Sequence, residues 1–159
     1  MASGDVRLGL VGAGRWGRRL IHTIGSMEGV DLAAVASRNP ETRGYAPGAE
    51  VVTDWRELLR MKLDGVAIAS PPCLHGEMLR AFVDGRLPSM VEKPLCLDVP
   101  EAYALKEFVE TREVPVLVDH TQLFHPAFSV LKQRVGELGR VIRIRSEGMG
   151  FGPFRPDVS

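Results

Sequence analysis

A chain of 159 residues, 45% apolar and 25% charged, has the length and composition of one globular domain that buries roughly 70% of its unfolded surface. Twenty basic residues balance twenty acidic ones and no basic stripe interleaved with aromatics is present, so no affinity for nucleic acid or an anionic membrane follows. No run approaches the ~20 apolar residues of a membrane span and the opening MASGDVRLG lacks a signal-peptide core, while Cys73 and Cys96, without metal-ligand spacing, fit reduced thiols in the cytoplasm.

Taken from the N-terminus, Val6–Val11 reads as a buried strand and Arg15–Ser26 as a helix with Leu20, Ile21 and Ile24 on one face. Asp31–Ser37 is the next strand, and the Pro- and Gly-rich stretch Asn39–Ala49 is a loop or a broken short helix. Val51–Val52 makes a short strand. Thr53 then caps a helix to about Met61, with Trp55, Leu58 and Leu59 facing inward. Gly65–Ala69 is a continuous apolar strand, followed by a helix over Leu74–Asp84. After a strand at Ser89–Glu92, Asp98 and Glu101 have the spacing of a capping box that opens a helix to about Glu110. Val114–Asp119 is a strand and Pro126–Val135 a helix.

Strands that are apolar throughout, separated by amphipathic helices, predict an α/β fold whose mostly parallel sheet is covered on both faces. Right-handed crossovers make it doubly wound, with ligands at the C-terminal ends of the strands. Arg140–Ser146 breaks this rhythm. Val141, Arg143 and Arg145 alternate with Ile142 and Ile144, the pattern of a half-exposed strand in a second, antiparallel sheet. The Gly- and Pro-rich stretch from Glu147 to Ser159 has little means of packing.

The chemistry starts at GLVGAGRWG, where Gly12, Gly14 and Gly17 fit G-x-G-x-x-G between a strand and a helix. Gly12 permits the tight turn, Gly14 admits a pyrophosphate and Gly17 allows close helix–strand packing. Arg15 and Arg18 beside a helix N-terminus are unfavourable unless an anion sits there, although both could point into solvent. Gly12, Gly14, Arg15, Trp16 and Gly17 are therefore the expected dinucleotide cradle. At the end of the second strand, where an acid would bind the ribose hydroxyls of NAD, the chain carries Ser37, Arg38 and Asn39. Without a carboxylate to repel a 2′-phosphate, Ser37 and Arg38 favour NADP over NAD; the alternative is that Arg38 stacks over the adenine of either.

Ser70 and Pro71 close the strand Gly65–Ala69 at the end where the nicotinamide half is expected. His75 opens the following helix, where lining the site and local packing both remain open. The next strand ends in Glu92-Lys93-Pro94, so the same lip of the sheet carries a carboxyl and an amine. A lysine near a nicotinamide ring could exchange a proton with a substrate hydroxyl as hydride moves, with Pro94 fixing its direction through a cis peptide. A solvated loop charge is the competing reading.

Together GLVGAGRWG, DGVAIASPPCLHGEML, VEKPLCLDVPEAYAL, VLVDHTQLFHPAF and GELGRVIRIRSEG resemble the glucose–fructose oxidoreductase / inositol 2-dehydrogenase (Gfo/Idh/MocA) family, in the family's order over nearly the whole chain. The resemblance implies a Rossmann domain for NAD or NADP, with Lys93 as the catalytic-site lysine and Gly12, Gly14 and Gly17 on the pyrophosphate. Glu92, His75, Ser70 and Pro71 join the cofactor-binding candidates, and no metal is expected. It implies residues 1–125 as the dinucleotide domain, with 126–159 as a linking helix, a first strand and a tail of a further substrate domain. Family members supply a histidine from that domain, which His120 and His125 do not match; His120 is a partial substitute or packs at a hinge. The expected activity is hydride transfer to or from a secondary carbon of a sugar, cyclitol or related small molecule, weak or absent without the further domain. The alternative is a non-catalytic dinucleotide-binding module. Either would form a homo-oligomer through the edge of Arg140–Ser146.

Overall fold

Six short strands carry the fold in the structure, a computed structural model that describes residues 5–147. They are β1 (Val6–Val11), β2 (Val30–Ala36), β3 (Glu50–Val52), β4 (Gly65–Ile68), β5 (Ser89–Glu92) and β6 (Val116–Asp119). All pair in parallel, in the order β3-β2-β1-β4-β5-β6. Chain direction across the sheet reverses between β1 and β4, so the crevice of a doubly wound fold opens beyond Val11 and Ile68, which lie opposite one another.

Alternate residues of the strands serve opposite faces. Leu10, Val35 and Ala67 pack with Ile21 of helix α1 (Arg15–Gly25) and with Ala46, which follows the short helix α2 (Thr42–Tyr45). On the other face Val11, Ala34, Ala36, Val66, Ile68 and Val91 meet Met78, Leu79, Phe82 and Val83 of α3 (His75–Asp84) and Leu105 of α4 (Val99–Arg112). Trp55 tilts against Phe82 with ring centroids 5.4 Å apart. The two-sided burial expected from the apolar runs holds for the central strands, whereas on the edge strand β6 Leu117 is exposed.

Local differences from the sequence expectation have identifiable causes. Asp54, not Thr53, caps the segment after β3, accepting from the Arg56 N–H at 3.0 Å, and a reciprocal Glu57 contact completes a capping box. That segment, Trp55–Arg60, is a 3₁₀ helix, whose tighter turn buries Leu58 and leaves Leu59 exposed. A further 3₁₀ turn, Pro72–Leu74, precedes α3. At α4 the Asp98 carboxylate accepts from the Glu101 N–H at 3.1 Å, the N-cap half of the capping box the spacing suggested, without the reciprocal Glu101 bond.

Contacts divide the chain after His120. From Thr121 on, a 3₁₀ turn leads to α5 (Pro126–Val135), capped by His125, whose Nδ1 accepts from the Ala127 N–H at 3.1 Å. The expected strand Arg140–Ser146 is not one: its backbone makes no ladder, and Ile142 and Ile144 are 92% and 83% exposed. An alternating pattern specifies a strand only where another strand pairs with it, and no partner is present among the described residues. The expected tail lies outside them from residue 148 on. No described helix is long and apolar enough to cross a membrane.

Phe82→Ala removes a fully buried ring from the centre of the α3 face, and its unfolding free energy in urea should fall by about 3–5 kcal/mol.

Candidate active site

The turn after β1 is built by contacts that only glycine permits. Gly12 sits at φ +91°, and a Cβ there would lie 2.5 Å from the carbonyl oxygen of Ala69. A Cβ on Gly17 would overlap the Gly12 carbonyl, so α1 starts flush against the strand end. Gly14, the N-cap residue, is different: it is exposed, with nothing near the place of a side chain. No side chain caps α1 and no acid lies in its first turn, which leaves its N–H groups open to an anion. These features fit a dinucleotide pyrophosphate. Trp16, in the same turn, is part-exposed beneath the Arg19 guanidinium, 5.1 Å from the ring centroid.

A crevice of about 390 Å³ lies beside this turn, lined by Ala13, Gly14, Arg15, Arg18, Ser37 and Asn39. Ser37 Oγ accepts from Thr42 Oγ1 at 2.9 Å and from the Asn39 N–H at 3.2 Å, which fixes the hydroxyl at the tip of β2. Thr42, fully buried, also contacts the Tyr45 hydroxyl at 3.1 Å, and that hydroxyl donates to the Ala13 carbonyl at 3.3 Å. Tyr45 thereby ties the loop after β2 to the glycine turn. Its ring carries the Arg18 guanidinium 4.4 Å above the centroid, and Glu41 holds the same group at 3.4 Å. Arg38 is exposed and does not line the crevice.

One and two strands from β1, about 5 and 10 Å across the sheet, the ends of β4 and β5 form the second part of the site. His75 joins them. Its ring is fully buried, with Nε2 2.8 Å from the Ser70 carbonyl oxygen and Nδ1 2.9 Å from the Pro94 carbonyl oxygen; both oxygens accept, so a neutral ring donates to one of them. Of the two readings left open by the sequence, the buried ring and its two carbonyl neighbours favour local packing. Ser70 Oγ contacts Met78 Sδ at 3.3 Å, and Pro71 is exposed at the start of the 3₁₀ turn. Lys93 is exposed at the lip, and the Lys93–Pro94 peptide is cis.

Glu92, a cofactor-binding candidate of the sequence, ends β5 as a buried carboxyl. It is 7% exposed and registers directly with Asp119 of β6, itself 9% exposed. Burial raises the Glu92 carboxyl from its ordinary 4.5 to about 7, with the hydrogen bond to Asp119 and the Asp119 charge adding to the rise. The Lys93 backbone N–H and ammonium oppose it. Asp119, Tyr45 and Asn39 were absent from the sequence candidates. Asp119 could have been found from topology alone, because a residue ending β6 occupies the same lip as one ending β5.

Residues 6–120 match the family model described as "oxidoreductase family, NAD-binding Rossmann fold" (GFO_IDH_MocA). A glycine cradle at the switch point of a doubly wound sheet is the site of such a fold, and the chain belongs to the Gfo/Idh/MocA oxidoreductase family. Myo-inositol dehydrogenase Hyg17 of Streptomyces leeuwenhoekii is 30% identical over 141 residues, 86% of this chain and 43% of its own. UDP-N-acetylglucosamine 3-dehydrogenase of Acidithiobacillus ferrooxidans is 27% identical over 158 residues, 95% of this chain and 47% of its own. A crystal structure described as an oxidoreductase from Magnetospirillum magnetotacticum MS-1 has a TM-score of 0.86 at 40% identity, covering 96% of this chain and 50% of that one. The chain spans about half the length of these relatives.

The raised Glu92 carboxyl has a consequence for stability. Its folded value lies above its unfolded one, so its favourable contribution is complete below pH 4.5 and is lost as pH rises through about 7. The loss amounts to about 3 kcal/mol by linkage. Glu92→Gln should match the native chain near pH 4.5 and exceed its stability increasingly toward pH 8 in urea titrations; parallel curves for the two proteins would refute the assignment.

Proposed function

We propose that this chain carries the cofactor-binding part of an NAD(P)-dependent oxidoreductase acting on a secondary alcohol or ketone of a sugar, cyclitol or related small molecule. Residues 1–125 form the dinucleotide domain in this reading, and 126–159 lead toward a substrate domain. The observation that carries it is the placement of Lys93 on the same sheet lip as the glycine cradle, with His75 locking the two intervening loops together. Gly12, Gly14 and Gly17 shape the pyrophosphate site, Arg15 and the α1 N–H groups neutralise it, and Trp16, Ser70 and Pro71 border the bound nucleotide. When bound, the nicotinamide accepts or delivers the hydride. Lys93 holds the proton that the substrate oxygen loses or gains in the same reaction. Turnover by these residues alone is weak or absent, because the family resemblance places the rest of the substrate pocket in the half that the relatives have beyond the matched region.

NADP is the preferred cofactor in this reading. The crevice at the tip of β2 is lined by Arg15 and Arg18 with no carboxylate among its lining residues, and Arg38 stands beside it at the loop surface. Ser37 accepts twice within its loop and keeps its own proton for a ribose or phosphate oxygen. The second reading, a binding module that associates through Arg140–Ser146, draws on the exposure of Ile142 and Ile144 beside an unpaired backbone. Both readings make the chain a homo-oligomer, which light scattering would show as a dimer at high concentration.

Titration should give at least about tenfold tighter binding of NADPH than NADH, the size of one charge-assisted contact. Equal affinities would remove the preference. Lys93→Ala should leave NADPH affinity within about threefold while abolishing any turnover of keto-sugars; retained turnover would return Lys93 to a loop charge.

A further inference from the structure

Parallel pairing of β5 with β6 sets two acids side by side, Glu92 opposite Asp119, at strand ends that are otherwise apolar. Both side chains are withdrawn from solvent, and Glu92 Oε1 is buried without a hydrogen-bond partner among protein donors. Two acids in register there resist double ionisation, because their repulsion and desolvation both favour retaining a proton. The Glu92 carboxyl has the protonation range for this, near pH 7, with burial and the neighbouring Asp119 side chain raising it. The charged groups acting on it are Asp119, from β6, and Lys93, from its own loop. From α3, His75 faces the same loops with its two nitrogens beside the Ser70 and Pro94 carbonyls.

We propose that Glu92 and Asp119 form a carboxyl pair that shares one proton and serves as the proton store for Lys93. The inference rests on the oxidoreductase reading above, and it adds a group that acts through Lys93 without touching substrate. In the oxidative direction the substrate O–H bond breaks and its proton joins the Lys93 amine, while the hydride leaves to the nicotinamide. The N–H bond of the resulting ammonium then breaks, and the proton passes to the doubly ionised pair. Lys93 is an amine again and the pair carries one negative charge in place of two. Release of that proton to solvent restores the starting state, so one alcohol yields one ketone, one reduced cofactor and one proton. Reduction runs through the same groups in reverse. Placing the store behind the lysine keeps the transferred proton close to the reacting carbon while the crevice is closed by ligand.

The test uses the chain without cofactor, with ¹³C-labelled carboxyls and ¹⁵N-labelled lysine followed by NMR from pH 4 to pH 9. One carboxyl should titrate near pH 7, disappear in Glu92→Gln, and move down by about one pH unit in Asp119→Asn once its partner's charge is gone. The Lys93 Nζ resonance, assigned with Lys93→Ala, should show an inflection at that same pH, move with it in Asp119→Asn and lose it in Glu92→Gln. A Glu92 remote from the amine would not write its titration onto Nζ. Carboxyls that all titrate below about pH 5.5 would overturn the pair, and a high-titrating carboxyl without the Nζ inflection would overturn the store. NADPH titration reports separately on the oxidoreductase reading: its failure would leave both resonances unchanged and would strike the parent proposal alone.

Discussion

Backbone contact between Gly12 and Ala69 is the constraint on which the site depends. A side chain at position 12 would lie 2.5 Å from the Ala69 carbonyl oxygen, so the turn after β1 can hug the end of β4 only when that side chain is missing. Gly17 repeats the condition one turn into α1, against the Gly12 carbonyl. Together they aim the first N–H groups of α1 at the switch point of the sheet, where strand order departs in two directions and leaves a gap. Gly14 has no such steric duty. Its bare surface keeps the gap open to an anion of pyrophosphate size.

The same logic continues across the sheet through His75. A fully buried imidazole is costly without a hydrogen-bond partner, and here each nitrogen faces a carbonyl of a separate loop. The loop after β4 and the loop bearing Lys93 are thus held in one frame with the α3 N-terminus. Tyr45 plays the corresponding part on the other side, joining the α2 segment to Ala13. The crevice is therefore bounded by loops tied to one another through side-chain–backbone bonds, which gives a mostly loop-built site the rigidity of the strands beneath it.

Much of this was legible because the strands have no polar face. Six apolar runs with helical spacers leave few alternatives to a two-faced parallel sheet, and the glycine spacing names the first crossover. What escaped was whatever a side chain decides only after folding. Asp54 and Thr53 are both acceptable caps by type, and only the path of the chain into the 3₁₀ turn selects Asp54. Tyr45 lies in a Gly- and Pro-rich stretch that reads as loop, and its value comes from a partner 32 residues away. His75 was correctly placed at the head of α3, yet whether it faced ligand or core depended on the distant Pro94 carbonyl. Arg140–Ser146 shows the limit from the other side: alternation describes which face would be buried, and it says nothing of whether a second strand is there to pair with it.

Glu92 presents the converse case, a residue whose burial opposes the fold. An apolar side chain of similar size between β5 and β6 would pack against the same neighbours with no ionisable group to desolvate. The carboxyl instead costs stability whenever it ionises, and it does so in the pH range where the chain would work. Asp119 beside it compounds the cost, since either acid alone would be easier to bury. A sheet optimised for stability would not set these two residues in register at adjacent strand ends. In the proposed proton store, the position of Glu92 one residue from Lys93, with Asp119 beside it at the end of β6, gives the strain a use, because a carboxyl whose proton is loosely held near neutral pH can exchange it where a solvated one at 4.5 cannot.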